Sequence, residues 1–531
     1  MHFAQYYLDC LSQASYLIGD KATGRAVLVD PRRDIDEYLH DAEAAGLRIE
    51  LVIETHIHAD FLSGHLELAR ATDAAIAFGE AAETGFPIRR LRDGERISLG
   101  PDDGAGVTLT VLATPGHTLE SICLVIHEHP DDEVPFGVLT GDTLFVGDVG
   151  RPDLLSAAGH SSQDMAARLH RSLHTKLMTL PDATRVFPAH GAGSACGRSL
   201  SSETSSTIGD QRRFNYALQP MPEADFVRLV TAGQPTAPGY FAHDAALNRD
   251  GHPLLEPGPP PALTLDEALE ARDRQGAVLL DCRPLAAYTR AHLAGSLHTS
   301  LDTRFAEYAG SVVAPGTPIV LLADPGTEQE ARLRLARIGY DHVLGHLPDP
   351  AAVLDRAPTL ARRSHRVRHD ELPLPQPDMS ATGPADGRPR DVLTGEASSP
   401  DASSPDAALP DASSLDAALP DASSLDASSL DASSLDASLS GACSAGARSA
   451  VQLIDVRNPA EYEAGALPGA RNIPLAGLPH RIDELDPARP VVLYCRSGNR
   501  SVIAAALLEA RGFGGVCDVV GGYEAVAASV G

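Results

Sequence analysis

Two segments of this 531-residue chain are copies of one unit. The stretch "VLLDCRPLAAYTRAHLAGSLHTSL" at 278–301 aligns with "QLIDVRNPAEYEAGALPGARNIPL" at 452–475, and "PIVLLAD" aligns in the same register with "PVVLYCR". A duplicated unit of this length predicts two domains of one architecture, so we expect several domains and not one continuous core. The copies differ at one position above all, because Ala323 of the first lies opposite Cys495 of the second.

The rest of the chain divides around this duplication. Residues 1–250 alternate short β-rich runs, such as "AVLVD" and "VTLTVLATPGH", with helical stretches, which predicts an α/β domain of layered sheets. The Pro and Gly residues of "EPGPPPAL" predict a linker after it. We therefore predict a first domain at 1–250, a linker at 251–262, the first copy at 263–370, a second linker at 371–390 and the second copy at 391–531.

A pentapeptide repeat of Ser, Asp and Ala interrupts the second copy near its start. It runs through "SSPDAALPDASSLDA", and its period matches the burial pattern of neither a helix nor a strand. We predict that residues 398–445 form a disordered insertion in a surface loop. Such an expansion costs little stability, because the entropy of loop closure grows only logarithmically with loop length.

The net charge argues against several classes of partner, and the cysteine content argues against a disulfide framework. The formal net charge of −29 argues against binding to nucleic acid or to an anionic membrane surface, since the long-range field repels both. Seven cysteines without CxxC spacing fit a reducing compartment and a reactive thiol better than a disulfide framework. The sequence shows no signal-peptide pattern and no apolar run long enough to span a bilayer, so we expect a cytoplasmic protein.

A metal-site pattern lies in the first domain. "ETHIHADFLSGH" at 54–65 places His56, His58 and Asp60 at alternate positions and follows them with Phe61. Three more potential ligands lie at strand ends or turns beside Gly or Pro, where side chains reach a shared cleft: His117 in "ATPGHT", Asp142 in "TGDTLF" and His190 in "FPAHGAG". Imidazole and carboxylate groups in this order predict a metal centre.

Across roughly residues 1–200 this pattern resembles the metallo-β-lactamase superfamily. The resemblance implies a four-layer αββα sandwich with the ligands at one edge of the paired sheets. Two-metal members of the superfamily use an HxHxDH motif, and Phe61 occupies its last position here. A phenyl ring cannot coordinate a metal, so we do not expect two-metal hydrolysis, which needs two ions clamping the reacting oxygens.

Within the superfamily, "GDTLFVGDVGRPDL" and "PAHGAGSACG" are similar to the bacterial persulfide dioxygenases that carry rhodanese domains. This resemblance implies one Fe(II) per chain bound by His56, His117 and Asp142, with zinc as the alternative metal. Two histidines and one carboxylate leave open positions at which O2 and a substrate sulfur can meet.

Four further residues of the first domain are assigned supporting roles. His58, Asp60 and His190 would orient the ligands and bound waters, or would serve as alternative metal ligands. Arg151 follows Asp142 closely and is a candidate for binding an anionic substrate tail or a sulfite product. A salt bridge that shapes the loop is the alternative role for Arg151.

The second copy contains a cysteine loop. "VVLYCRSGNRSVIAA" predicts an apolar strand, a tight polar loop and a helix, with Cys495 at the start of the loop and Arg500 at its end. Converging loop amides and a helix N-terminus stabilise a thiolate or a persulfide anion. Arg500 adds a positive charge, so we expect a thiol pKa in the reactive range and a nucleophilic Cys495. The residues between them are the candidate substrate-binding residues: Arg496, Ser497, Gly498 and Asn499.

This second copy, including "DVRNPAEYEAGALPGARNIP" and "VVGGYEAV", resembles a rhodanese, or sulfurtransferase, domain. The resemblance implies that both copies are α/β domains with parallel sheets. Four residues separate Cys495 from Arg500, one fewer than in related phosphatases, and a loop of this size suits a single sulfane sulfur. The first copy carries Ala323 and Glu328 at the corresponding positions, so we interpret it as a degenerate rhodanese with a scaffold or docking role.

Together these resemblances predict a bifunctional enzyme of sulfide detoxification. The metal domain would oxidise a low-molecular-weight persulfide, carried by glutathione, coenzyme A or another thiol, with O2 to sulfite. The rhodanese would pass sulfane sulfur through a Cys495 persulfide and form thiosulfate. Two alternatives stay open, which are a metallo-thioester hydrolase of the glyoxalase II type fused to rhodanese and a non-catalytic sulfur carrier or sensor. A homo-oligomer is expected from the family.

Overall fold

The computed structural model describes residues 1–101, 105–154, 156, 159–192, 194–197, 200–372 and 451–530. The predicted disordered insertion at 398–445 and the predicted linker beyond residue 372 lie outside these described residues. In the described part of the chain, no helix combines the length and apolar character that crossing a membrane requires.

Two six-stranded sheets form the centre of the first domain. The first sheet contains, in spatial order, β1 (His2–Leu8), β2 (Gln13–Asp20), β3 (Arg25–Val29), β4 (Arg48–Ile53), β5 (Ala75–Gly79) and β6 (Arg89–Leu91). The second contains β7 (Arg96–Ser98), β8 (Thr108–Ala113), β9 (Ile122–His127), β10 (Gly137–Gly141), β11 (Arg185–Pro188) and β12 (Ser206–Thr207). Strands β3 to β6 run parallel, whereas β7 to β10 alternate in direction.

Helices cover the outer faces of both sheets. They are α1 (Asp36–Ala44), α2 (His65–Thr72), α3 (Ser162–Thr175), α4 (Ile208–Phe214), α5 (Glu223–Thr231) and α6 (Phe241–Asp250). Side chains alternate across a strand, so Val27 of β3 packs between the two sheets, while its neighbour Leu28 packs against Tyr38 of α1. On the second sheet, Val125 packs outward against α3 and α5. The predicted αββα sandwich is confirmed.

The middle domain is built on a parallel sheet. Its strands are β13 (Val278–Asp281), β14 (His292–Leu293), β15 (Leu297–His298), β16 (Ile319–Leu322), β17 (Val343–Leu347) and β18 (Ala361–Arg362). Its helices are α7 (Leu265–Gln275), α8 (Leu285–Arg290), α9 (Phe305–Val312), α10 (Glu328–Ala336) and α11 (Pro350–Arg356). The main sheet has the order β15-β13-β16-β17 with every pair parallel, and β14 and β18 form a separate two-stranded ladder.

The last domain has a five-stranded parallel sheet of order β19-β23-β22-β20-β21. Its strands are β19 (Arg366–Val367), β20 (Gln452–Asp455), β21 (Arg471–Asn472), β22 (Val491–Tyr494) and β23 (Val516–Val519). Its helices are α12 (Pro459–Glu463), α13 (Leu478–Arg481), α14 (Asn499–Ala510) and α15 (Gly522–Val530). Both copies of the duplicated unit therefore have the expected α/β fold with a parallel sheet.

The structure corrects the predicted end of the middle domain at residue 370. Strand β19 pairs with β23 in the sheet of the last domain, so residues 366–367 belong to that domain and not to the middle one. The physical reason is an ion pair, since the Arg366 guanidinium donates to both carboxylate oxygens of Asp518 on β23, at 3.0 and 2.9 Å.

The three domains share one hydrophobic core. It contains Phe61 of the first domain, Phe305 of the middle domain and Ile454 of the last. Arg33 adds a polar clamp between the first two domains. Its fully buried guanidinium donates to Glu67 at 2.9 Å within the first domain and to Asp341 at 2.7 and 2.9 Å across the boundary.

Removal of this clamp is expected to destabilise the protein. The substitution Arg33→Met leaves the buried Glu67 carboxylate without its cation and should lower the free energy of unfolding by about 3 kcal/mol. Guanidinium unfolding followed by circular dichroism measures this change. The control is Arg228→Met, which removes an exposed pair with Asp225 and should change stability little. Equal effects of the two substitutions would contradict the clamp.

Candidate functional site

Strand ends of the first domain bring the predicted metal ligands together. His56 lies just beyond β4, His117 lies in the turn between β8 and β9, and Asp142 directly follows β10. One atom from each of these three buried residues lies within 4.8 Å of the others. The Asp142 Oδ2 atom lies 3.4 Å from His117 Nε2 and 3.8 Å from His56 Nε2.

The donor atoms of this cluster fit a metal ion. Within the described residues, His56 Nε2 and both carboxylate oxygens of Asp142 are buried without a hydrogen-bond partner. Buried polar atoms are almost always paired, so an ion that accepts two imidazole nitrogens and one carboxylate oxygen would satisfy them. These three residues are the ones that the resemblance assigns as ligands.

Hydrogen bonds on the far side of each ring fix the imidazoles for coordination. His117 Nδ1 donates to the Arg151 carbonyl at 2.9 Å, and His56 Nδ1 lies 3.0 Å from Thr55 Oγ1. The Thr55 hydroxyl itself donates to Asp30, so its oxygen accepts from His56. Each Nε2 then carries the lone pair that a metal needs. Burial lowers the pKa of His56 well below its ordinary value, with neighbouring histidines adding to the effect, which keeps the ring neutral.

A second cluster adjoins the first. One atom each of His58, Asp60 and His190 lie within 4.8 Å of one another, and all three residues are buried. His190 Nε2 lies 3.3 Å from Asp60 Oδ2 and 3.5 Å from Asp142 Oδ1, so the Asp142 carboxylate contacts both clusters. The sequence left these residues either an orienting or a metal-binding role, and both remain predictions.

The surroundings of His58 favour the orienting role. Its Nε2 lies 3.0 Å from an Asp30 oxygen and 3.3 Å from a Glu54 oxygen. Burial alone would lower the pKa of His58, but these carboxylates raise that pKa well above its ordinary value. Phe61, at the position of the missing histidine, is fully buried with its ring 4.4 Å from that of His58. It packs in the core shared with the middle domain.

Cys196 is a site residue to which the sequence assigned no role. Its sulfur lies within 4.8 Å of ligand atoms of Asp142 and His190. Burial, together with the carboxylates of Asp60 and Asp142, raises the pKa of this thiol well above its ordinary value. The one feature of the sequence that could have indicated a site role for Cys196 is its position six residues after His190 in "PAHGAGSACG".

Arg151 has the loop-shaping role that the sequence left open. The buried guanidinium pairs with Asp153 through two bonds of 2.8 and 2.7 Å. It also donates to the Ala195 carbonyl at 3.0 Å, next to Cys196. Because the Arg151 carbonyl accepts from His117, this one residue ties a ligand to the loop 194–197. Substrate binding by Arg151 stays a prediction.

The cysteine loop has the predicted strand–loop–helix form. Cys495 follows β22 and is buried, and its sulfur accepts a hydrogen bond of 3.1 Å from the Gly498 amide. Gly498 has a φ of 104°, which disfavours any residue with a Cβ. Ser497 is exposed at the rim of the loop, and Asn499 begins α14. In the middle domain, buried Ala323 follows β16 at the equivalent place.

The environment of the two loop arginines differs from the sequence-based expectation. Arg500 donates through both terminal nitrogens to the Glu461 carboxylate of α12, at 2.7 and 2.8 Å, so a carboxylate compensates its charge. Arg496 is exposed and pairs with Glu524 at 2.6 Å. Glu461 had no predicted role, because it lies 39 residues before Arg500 in the chain.

The other cysteines of the described chain are not equivalent to Cys495. Cys282 is buried in the shared core, and burial raises its pKa well above the ordinary value, so its environment is that of a packed core thiol. Free thiols are present at Cys10, Cys123, Cys196, Cys282 and Cys495, whereas Cys517 is disulfide-bonded.

Comparison with known proteins assigns the family. The family model described as the metallo-beta-lactamase superfamily matches residues 8–190, and the rhodanese-like domain matches 264–347 and 444–529. Uncharacterized protein ML0493 of Mycobacterium leprae is 31% identical over 230 residues, which cover 38% of this chain and 92% of that protein. The chain belongs to the metallo-beta-lactamase superfamily. It is a fusion of that domain with two rhodanese-like domains.

Other relatives of this metallo-beta-lactamase–rhodanese fusion cover different parts of it. A solved metallo-beta-lactamase from Staphylococcus aureus subsp. aureus COL is 34% identical with a TM-score of 0.58, covering 66% of this chain and 99% of that one. Human mitochondrial persulfide dioxygenase ETHE1 is 29% identical, covering 41% of this chain and 75% of that protein. The chain spans 62% of the beta-lactamase hydrolase-like protein of Agrobacterium fabrum, at 31% identity over 293 residues.

Loss of one imidazole should empty the metal centre. We expect full-length His117→Ala to retain less than about a tenth of the metal bound by the unchanged protein, because only one histidine and one carboxylate of the cluster remain. Elemental analysis after gel filtration measures metal per chain. The matched control is His129→Ala on an exposed loop, which should retain all of the metal. Full retention by His117→Ala would contradict the assigned cluster.

Proposed function

We propose that this fusion is a persulfide dioxygenase and sulfurtransferase that converts the sulfane sulfur of a small persulfide to sulfite and thiosulfate in the cytoplasm. One observation carries the proposal: a cluster of two histidines and one carboxylate occurs in the same chain as a cysteine loop sized for one sulfur. The carrier is a low-molecular-weight thiol such as glutathione or coenzyme A.

The first reaction balances as RSSH + O2 + H2O giving RSH, sulfite and two protons. The outer sulfur of the persulfide is oxidised, and dioxygen is reduced. Fe(II) bound by His56, His117 and Asp142 would supply the redox chemistry that lets dioxygen react. The chain itself contributes burial, which excludes bulk water, and proton acceptors beside the cluster. Asp60 Oδ1 and His190 Nε2 are buried and make no hydrogen bond within the described residues, so they are placed to hold these protons.

The second reaction uses Cys495 as the nucleophile. Its thiolate attacks the outer sulfur of RSSH and forms a new S–S bond to it. The S–S bond of the carrier breaks, RSH leaves, and Cys495 carries the persulfide Cys495–S–S⁻. Sulfite then takes the outer sulfur, which releases thiosulfate and restores the thiolate. The Gly498 amide, 3.1 Å from the Cys495 sulfur, provides a fixed hydrogen bond to the anionic forms.

The names of two relatives support the first activity. The human and bovine proteins that match the first domain, each at 29% identity over 222 residues, are persulfide dioxygenases by name. The rhodanese-like domain match at 444–529 includes Cys495 and supports the second activity.

A second candidate function is hydrolysis of a thioester by two metal ions. The observation in its favour is that the cluster of His58, Asp60 and His190 adjoins the first cluster through Asp142, although the carboxylates around His58 favour an orienting role for that residue. The hydroxyacylglutathione hydrolase of Polaromonas sp. is 34% identical over 179 residues and covers 33% of this chain. Two ions per chain together with thioester hydrolysis would select this candidate.

Oxygen uptake and product analysis test the proposal. With glutathione persulfide, the iron-loaded protein should consume O2 and form sulfite and thiosulfate. His117→Ala should lose O2 uptake by at least about 100-fold, since the redox centre is lost. Cys495→Ser should keep O2 uptake and sulfite production but lose thiosulfate by at least about tenfold, since the nucleophile is lost.

Cys10→Ser is the matched control for this experiment, because Cys10 is a free thiol outside both sites. It should behave as the unchanged protein in both measurements. Absence of O2 uptake by the iron-loaded protein with glutathione, coenzyme A and inorganic persulfides would contradict the proposed dioxygenase.

A further inference from the structure

A cleft of about 480 Å³ lies where the three domains meet. The loop 194–197 forms its wall in the first domain, and α9 of the middle domain forms the facing wall with Glu307 and Tyr308. The last domain contributes Arg496 and Arg500 from the cysteine loop. A cleft of this size holds a small molecule. The degenerate middle domain therefore forms part of the surface beside the active cysteine.

The lining of this cleft is rich in arginine, although the protein as a whole is strongly acidic. It contains three arginines, and each of them pairs with a glutamate: Arg304 with Glu307, Arg500 with Glu461 and Arg496 with Glu524. The whole chain has a net charge of −29. The three ion pairs leave the lining close to neutral against that field, and the N–H donors that the pairs do not use are available to a small anion.

Each of the three guanidinium groups keeps donors for a ligand. A guanidinium has five N–H donors. Arg304 pairs with Glu307 through Nε and donates from Nη1 to Ser12 Oγ at 3.3 Å, and its Nη2 has no partner within the described residues. Burial raises the pKa of Glu307, against the lowering effect of Arg304. The Nη2 group of Arg304 is therefore available to donate hydrogen bonds to a ligand in the cleft.

Arg304 also connects the cleft to the metal cluster. The Ser12 hydroxyl that accepts from Arg304 belongs to the residue whose carbonyl accepts from His190 Nδ1 at 3.1 Å. His190 in turn lies 3.5 Å from Asp142. On the same side, Ala195 and Gly197 line the cleft, while Cys196 between them contacts the cluster. The wall formed by Ala195 and Gly197 is thus adjacent in sequence to Cys196, which contacts the metal cluster.

We propose that this three-domain cleft binds the sulfite oxyanion between the two centres, and that Arg304 of the middle domain is its anion-binding residue. The inference rests on the proposed function, which makes sulfite the product of one site and the sulfur acceptor at the other. Sulfite held there lies beside the cysteine loop, and takes the outer sulfur of the Cys495 persulfide as the S–S bond to Cys495 breaks. The middle domain, which has no thiol, contributes charge to this step.

Direct binding tests the cleft without using either reaction. We titrate sodium sulfite into the full-length holoenzyme under argon and measure the dissociation constant by calorimetry. Arg304→Gln should weaken binding about tenfold, because one charge-assisted hydrogen bond is lost. Arg304→Lys keeps the charge and should recover most of the affinity. The matched control Arg290→Gln, on the exposed end of α8, should bind as the unchanged protein.

Kinetics give a second and independent measurement. With glutathione persulfide as donor and added sulfite as acceptor under argon, Arg304→Gln should raise KM for sulfite about tenfold. Its KM for the donor and its kcat should stay within about twofold, because Cys495 and Gly498 are unchanged. Tyr308→Phe, a milder change in the same wall, tests the site if Arg304→Gln does not fold.

The outcomes separate this inference from the proposed function. Equal sulfite affinity and equal KM in the unchanged protein, Arg304→Gln and Tyr308→Phe would overturn the inference and leave the dioxygenase untouched. Absence of sulfite binding to the unchanged protein at 10 mM, roughly 3 kcal/mol of binding free energy, would also overturn it. Absence of O2 uptake would overturn the proposed dioxygenase, while the anaerobic titration still reports on the cleft.

Discussion

The buried carboxylate of Asp142 is the group on which the metal centre depends. One of its oxygens faces His56 and His117, and the other faces His190. An uncompensated buried carboxylate is strongly destabilising, so a cation bound here would stabilise the fold as well as serve the proposed activity. The strand order of the second sheet places β10 between β9 and β11, which sets Asp142 among the histidines.

Much of the site was predictable because short stretches of sequence encode it. His56, His58 and Asp60 lie within five residues, and the strand before them fixes where they point. The cysteine loop is similarly local, since Cys495 and the amide that reaches its sulfur are three residues apart. The αββα sandwich followed from a resemblance, and the packing of alternate residues on opposite sheet faces explains it physically.

The remaining site residues were not predictable because tertiary packing alone brings them in. Glu461 reaches Arg500 from another helix, and Arg304 reaches Ser12 across 292 residues of chain. Cys196 had no assigned role in the sequence, because only the folding of its loop against Asp142 brings it to the cluster. Neither hydrophobic period nor motif spacing encodes such contacts, and the same limit applies to β19, whose two residues carry no strand signal.

The pairing of β19 with β23 has a topological consequence for the last domain. Its edge strand precedes residues 373–450 in the chain, while its other four strands follow them. The domain is therefore discontinuous in sequence and continuous in hydrogen bonding, held at the edge by Arg366 and Asp518. The β19–β23 ladder therefore joins the two parts of the domain independently of the chain between them, and two fragments separated at that stretch would still share one sheet.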